Sequence, residues 1–248
     1  MNKLMCMIQY DGSNFIGFQV QPRGRTIQGE IERALKKIHK GNHVRIQTSG
    51  RTDKGVHAVG QMIHFESPFE LATSNWKKAL NTLLPKDIFV SSVSYCDAAF
   101  HCRYDAIEKE YRYMVSRSME PNVFKQNYTF HFPYPLNVEN IKKACAYLEG
   151  RHDFTSFSSA KDTTKGSKVR TLYEVSCEEN GEELMFTFRG DGFLYHMVRI
   201  MIGTLLDIGQ GRREAEEIVE LLAQKDRTLS SETAPAEGLY LWNVVYPE

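Results

Sequence analysis

Between Gly50 and Ala58 the chain reads Gly-Arg-Thr-Asp-Lys-Gly-Val-His-Ala. Nine residues bring together one carboxylate, two cations, two glycines and a histidine. Gly50 and Gly55 let the backbone take tight or left-handed geometry that a Cβ resists, so the spacing predicts Asp53 at a turn. Arg51 lies two residues before it and Lys54 directly follows. Nearby positive charge lowers the pKa of a carboxylate and keeps it ionised. An ionised carboxylate held in fixed geometry suits nucleophilic attack better than proton donation. The same composition fits a solvated Asx turn between two strands, because Asp and Gly are common turn residues. Spacing alone leaves both readings open.

The elements that must position this turn can be read from periodicity. Leu4, Cys6, Ile8 and Tyr10 alternate, which predicts a strand over 3–10 ending at Asp11-Gly12. Ile27, Ile31, Leu35 and Ile38 form a helical stripe over 26–38. Strands are predicted over 44–48 and 58–66, flanking Asp53. A helix through Trp76, Ala79, Leu80 and Leu83, with Ser74 as its cap, stops before Pro85. A strand over 87–96 completes a βαββαβ order, that of a ferredoxin-like unit. The second half repeats the order loosely. It has a strand over 110–116, a helix capped by Asn137 and closed by Gly150, and strands over 169–178 and 183–189 joined at Asn180-Gly181. A largely apolar helix over 195–208, a charged helix over 213–224 and a last strand over 239–246 follow. Residues 117–135 and the polar stretch 155–168 read as loops, the latter mobile. Two α+β halves, 1–105 and 106–248, are expected, with a cleft between them.

The chain has 248 residues, 42% apolar and 25% charged, the composition of an ordinary globular protein. No apolar run approaches the length of a membrane span, and Met1-Asn2-Lys3-Leu4 does not begin a signal peptide. The five cysteines contain no C-x-x-C pair, so neither a zinc site nor a disulfide framework is expected, and a reducing cytoplasm is the simplest compartment. The formal net charge is zero, from 31 basic and 31 acidic residues, yet residues 1–60 hold ten Lys and Arg against four Asp and Glu. The first 60 residues therefore carry +6 and the remainder −6. Such a protein can keep a basic cleft with an acidic back.

The Asp53 motif resembles the active-site signature of tRNA pseudouridine synthases of the TruA type. Further blocks agree in the same order: Tyr10-Asp11-Gly12, Phe100-His101-Cys102-Arg103, Tyr111-Arg112-Tyr113, Phe193 through Arg199, and Ala236-Glu237-Gly238-Leu239-Tyr240-Leu241. The resemblance covers almost the whole chain. It implies the pseudouridine synthase fold, α+β, with two ferredoxin-like halves, a shared antiparallel sheet and a central basic cleft. It implies Asp53 as the nucleophile, with Arg51 and Arg199 as the cations beside it. By the same resemblance, Tyr111 stacks on the target base and Leu239 packs against the other side. Phe100, His101, Cys102, Arg103 and Tyr104 correspond to a segment that contacts tRNA. Cys102 stands where alanine is more usual, as does Lys54. The family acts on uridines 38, 39 and 40 of the anticodon arm and is homodimeric. Reaching a stacked base requires flipping it, at a cost of a few kcal/mol.

Pseudouridine formation breaks the N1–C1′ bond, turns the base and joins C5 to C1′. Nothing is oxidised, so no metal or cofactor is expected, and the sequence shows no phosphate loop, dinucleotide fingerprint or metal-ligand cluster. Lys161, Lys165, Lys168 and Arg170 outweigh Asp162 in the 155–168 stretch, which reads as an RNA clamp or as a solvated loop. His57 and His196 are not assigned catalytic parts. Two other functions are weighed against the isomerase. A non-catalytic RNA-binding relative would have lost Asp53, Tyr111 or Arg199, and all three are present. A hydrolase pairing Asp53 with His57 leaves the distant blocks unexplained.

Overall fold

A computed structural model describes residues 1–162 and 166–247. The chain divides into two compact units, Met1–Ile107 with Tyr240–Glu248, and Glu108–Leu239. The division at 107/108 lies two residues from the expected boundary, and the C-terminal strand belongs with the first unit instead of the second.

The first unit opens with β1 (Asn2–Tyr10), α1 (Ile27–Ile38), β2 (Gln47–Thr48), β3 (His57–Ser67), α2 (Thr73–Leu83) and β4 (Ile88–Cys96). Antiparallel pairing gives the strand order β4-β1-β3-β2, which is that of a ferredoxin-like unit. Leu4, Cys6, Ile8 and Tyr10 are buried on one face of β1, as their alternation requires. Thr26 caps α1 by accepting a hydrogen bond from Gly29 N–H, and Ile27, Ile31 and Leu35 face the core. Two expectations shift. β2 covers only 47–48 of the expected 44–48, because the Ile46 N–H donates to Glu32 Oε1 on α1 and not to a strand. α2 starts at Thr73, since Ala72 C=O already accepts from Asn75 and Trp76. Ser74 therefore sits inside the helix and is not its cap.

The second unit contains β5 (Glu108–Ser116), β6 (Phe130–His131), α3 (Val138–Leu148), β7 (Gly150–Asp153), β8 (Val169–Asn180), β9 (Glu183–Gly190), α4 (Met197–Gly209) and α5 (Glu217–Gln224). Its strands run β5-β9-β8-β7, all antiparallel, with β6 parallel to the end of β5. α3 packs on β8 and α4, capped by the Asn137 side chain. The β8–β9 hairpin turns at Gly181-Glu182, one residue later than expected. Asn180 still pairs with Glu183, and Gly181 takes the φ of +60° that a II′ turn needs at its first central position. α5 starts at Glu217 and not at 213, because the Glu217 carboxylate accepts from Glu214 N–H and pairs with Arg213, closing a cap before the helix begins.

The final strand, β10 (Leu239–Val245), pairs in parallel with β3 through Tyr240↔His57 and Leu241↔Ala58. Ile107 N–H donates to Val245 C=O, and Tyr246 OH donates to Cys102 C=O. These bonds explain why the chain terminus joins the first unit. No helix among the described residues is long and apolar enough to cross a membrane.

Candidate active site

Asp53 sits in a tight turn clamped on every side by the first unit. Its C=O accepts from Val56 N–H, and Gly55 in the turn has φ +79°, the left-handed value that a type II turn reserves for glycine. Thr52 is held by Tyr10 OH at 2.8 Å from its Oγ1 and by Phe18 N–H at 3.0 Å from its C=O. Gln61, on β3, donates to Gly50 C=O at 2.7 Å and accepts from Ser49 Oγ at 2.6 Å. Gly12 lies so close to the Val56 carbonyl that a Cβ there would overlap its oxygen. The half-buried Asp53 and exposed Arg51 are thus presented by a fixed loop. No local pattern marks Tyr10, Gly12 or Gln61 as supports, because their partners lie 42 or more residues away for Tyr10 and Gly12 and 11 or more for Gln61.

His57 belongs to this scaffold. Only 2% exposed, it stacks on Tyr240 at 4.7 Å and accepts from Gly12 N–H at Nδ1, 3.0 Å away. Asp11 Oδ1 lies 3.3 Å from the same nitrogen. Buried and held in this way, the imidazole supports the meeting of the β1 end with the Asp53 loop.

The Phe100–Tyr104 segment splits in two. Cys102 is 0% exposed, its N–H donating to His64 Nδ1 and its C=O accepting from Tyr246. Its side chain therefore packs inside and offers no surface to RNA, which corrects its place among the RNA contacts. Tyr104 is 75% exposed with His101 against its ring at 4.4 Å. Arg103 is exposed and Phe100 half-buried. His64, His101 and Cys102 also place three potential metal-ligating atoms within 4.8 Å, a cluster the sequence did not reveal. Both imidazoles accept backbone N–H groups at Nδ1, from Cys102 and Arg103. Burial, with His101 alongside, pushes His64 down from 6.5 to about 4.

In the second unit Tyr111 and Tyr113 share one face of β5, as alternation predicts. Tyr111 is 9% exposed, edge-on to Phe193 at 4.9 Å. Tyr113 is sheet core, donating its OH to Pro235 C=O at 2.8 Å. Burial, with Glu237 nearby, holds its phenol well above the ordinary value. Arg199 stands in the first turn of α4. Its Nε donates to Ala234 C=O at 2.7 Å, and Ala234 N–H returns a bond to Arg199 C=O. Met114 N–H donates to Gly238 C=O, where a Cβ would lie 2.7 Å from the Met114 oxygen and 2.8 Å from the Tyr113 ring. The Ala234–Leu239 segment is therefore stitched to both α4 and β5, and Leu239 is buried beside it. His196 precedes α4 as its N-cap in left-handed geometry, φ +62°, its ring 3.9 Å from Tyr195. It lies outside the helix, although the expected helix over 195–208 included it.

The expected basic loop is shorter than 155–168. Thr155–Phe157 form a 3₁₀ turn with Phe157 buried and Ser156 Oγ donating to Leu221 C=O. Apolar Phe154 and Phe157 pull this part into the core. Lys161 is exposed and Lys168 half-buried. Arg170 sits on β8, its Nη1 donating to Ser167 and Val169 carbonyls. Lys165 lies outside the described residues.

The family described as tRNA pseudouridine synthase matches this chain over residues 6–105 and 144–247. The tRNA pseudouridine synthase A of Oceanobacillus iheyensis is 56% identical over 248 residues, 100% of this chain and 98% of that protein. The tRNA pseudouridine synthase A 1 of a Bacillus cereus strain is 52% identical over 99% of both chains. The tRNA pseudouridine synthase A of Geobacillus kaustophilus is 52% identical over 99% of this chain and 95% of that one. A crystal structure of a Cbf5-Nop10-Gar1 complex superposes with a TM-score of 0.36 at 14% identity, over 82% of this chain and 54% of that one, too loosely to carry an argument. With matches in both units and full-length relatives above half identity, the chain belongs to the tRNA pseudouridine synthase family.

Proposed function

We propose that this protein isomerises uridine to pseudouridine in tRNA, at positions 38, 39 and 40 of the anticodon arm. The observation that carries this reading is family membership across both units, with Asp53, Tyr111 and Arg199 all retained. In this reading Asp53 is the nucleophile toward the base or sugar. Arg51 and Arg199 keep it ionised, since a cation beside a carboxylate both orients it and holds it charged. Tyr111 stacks on the flipped uracil, because every base has a π-face, and Leu239 closes its other side. Phe100, His101, Arg103 and Tyr104, with Lys161, Lys165, Lys168 and Arg170, contact the RNA. Reaching three neighbouring uridines with one nucleophile calls for recognition of RNA shape and not of base sequence. The protein acts as a homodimer in the cytoplasm, where its five free thiols stay reduced. Sedimentation of the purified protein as a single-chain species would contradict the dimer.

The test is site mapping. An unmodified tRNA transcript is incubated with the protein, treated with a carbodiimide that stays on pseudouridine, and read by primer extension. Stops at 38–40 are expected. Stops elsewhere would assign a different site preference, and no stops at all would contradict the function.

A further inference from the structure

We propose that the first unit carries a second RNA contact, a pocket around Lys40 and Arg45 that takes one nucleotide remote from the target uridine. The inference rests on the tRNA reading above and names a further binding site for the same substrate. A cavity of about 720 Å³ lies beside the end of β3, with Lys40, His43 and Arg45 in its wall and Phe69 and His39 among its lining. That volume lies within the range of small-ligand sites. Phe69 and His39 stack at 4.9 Å. The imidazole is fixed by bonds at both nitrogens, to Leu35 C=O and Ser67 Oγ, each 2.8 Å. His39 itself is only 3% exposed and is also stacked on Trp76, so it backs the half-buried Phe69 ring, and Phe69 is the face on which a base stacks. Glu66 is the one acidic residue of the wall among the described residues. Neither Lys40 nor Arg45 has an acidic partner there, so both are available to phosphate.

The backbone singles out Lys40. α1 ends with Gly41 N–H bonded to Lys36 C=O and Lys40 N–H bonded to Lys37 C=O, a Schellman closure whose left-handed position is ordinarily glycine. Lys40 occupies it at φ +54°. Lys225 does the same after α5 at φ +53°, but its ammonium pairs with Asp153 at 3.2 Å. The strain at Lys225 has a structural compensation, and the strain at Lys40 has none within the described fold. Strained residues of this kind cluster where side chains meet ligands. Lys36 and Lys37 answer the negative end of the α1 dipole; Arg45, beyond the helix, does not. Glu66 is nine residues along β3 from His57, about 30 Å at ~3.3 Å per residue. The nucleotide bound at this pocket is therefore not the one presented to Asp53.

Lys40→Gly and Arg45→Ala test this with unmodified tRNA. Lys40→Gly relieves the left-handed strain, so its Tm should rise by about 2–4 °C. Its tRNA Kd should weaken several-fold, and the slope of log K against log salt should become shallower by about 1. Arg45→Ala should lose affinity and slope similarly without the gain in Tm. Single-turnover rates at saturating tRNA should match wild type in both. Unchanged Kd and slope in both variants, with wild type active, would overturn the pocket and leave the function standing. Reduced saturating turnover with unchanged Kd would overturn it as well. An inactive wild type would remove the tRNA reading itself, and this inference with it.

Discussion

In the proposed reading Asp53 carries the chemistry. Its turn is held through neighbouring residues, by Tyr10 on Thr52 Oγ1, Phe18 on the Thr52 carbonyl and Gln61 on the Gly50 carbonyl. Asp53→Ala is expected to abolish turnover while tRNA Kd stays within a few-fold, measured by filter binding. A large loss of affinity would make Asp53 structural. His64 gives a prediction in pH. Its folded pKa, about 4, lies below the ordinary 6.5, so the folded state binds fewer protons than the unfolded one. The neutral ring's contribution is full above about pH 6.5 and is lost as pH falls toward 4, on the order of 3 kcal/mol. In His64→Gln, which still offers an acceptor to Cys102 N–H, the fall in stability between pH 6.5 and 4 should flatten in urea titrations. A parallel pH profile would contradict this. At this scale the sequence exposes the carboxylate and the tyrosine that the proposal places at the base, Asp53 and Tyr111. It hides that His57 serves Gly12 and that Cys102 faces inward, because both depend on partners 38 or more residues away.

Elements carried by a single periodicity were legible: β1, α1, α3 and the long β8–β9 pair all follow their apolar spacing. Elements defined by a distant partner were not. β6 and β7 are two and four residues long and take their identity from β5 and β8. β2 lost residues to a side-chain acceptor on α1. The glycines that set close approaches give a prediction here. In Gly12→Ala the new methyl collides with the Val56 carbonyl, so the β1 end and the Asp53 turn must separate. Activity should fall at least tenfold with a lower Tm, and wild-type kinetics would contradict the clamp. Tyr113→Phe strands the Pro235 carbonyl and should cost about 1–2 kcal/mol in urea unfolding. Its effect on activity should exceed its effect on tRNA binding, because it loosens the Ala234–Leu239 segment tied to Arg199.

Over the whole molecule, residues 1–60 carry +6 against −6 in the rest, so the proposed tRNA binding should depend strongly on salt. Replacing Lys161 and Lys168 with alanine should weaken tRNA binding and flatten its salt dependence. An unchanged slope would show that this segment touches no phosphate. The ferredoxin-like order of the first unit was readable, because its helices and strands alternate locally. The return of β10 to β3 was not, since the strand is written more than 170 residues after its partner. The most direct test of the central claim is tritium release from C5-tritiated uridine in an unmodified tRNA transcript, with wild type and Asp53→Asn and no added metal or cofactor. Release by wild type alone is the predicted result. Release by both would contradict Asp53 as nucleophile, and release by neither, with tRNA still bound, would contradict the isomerase.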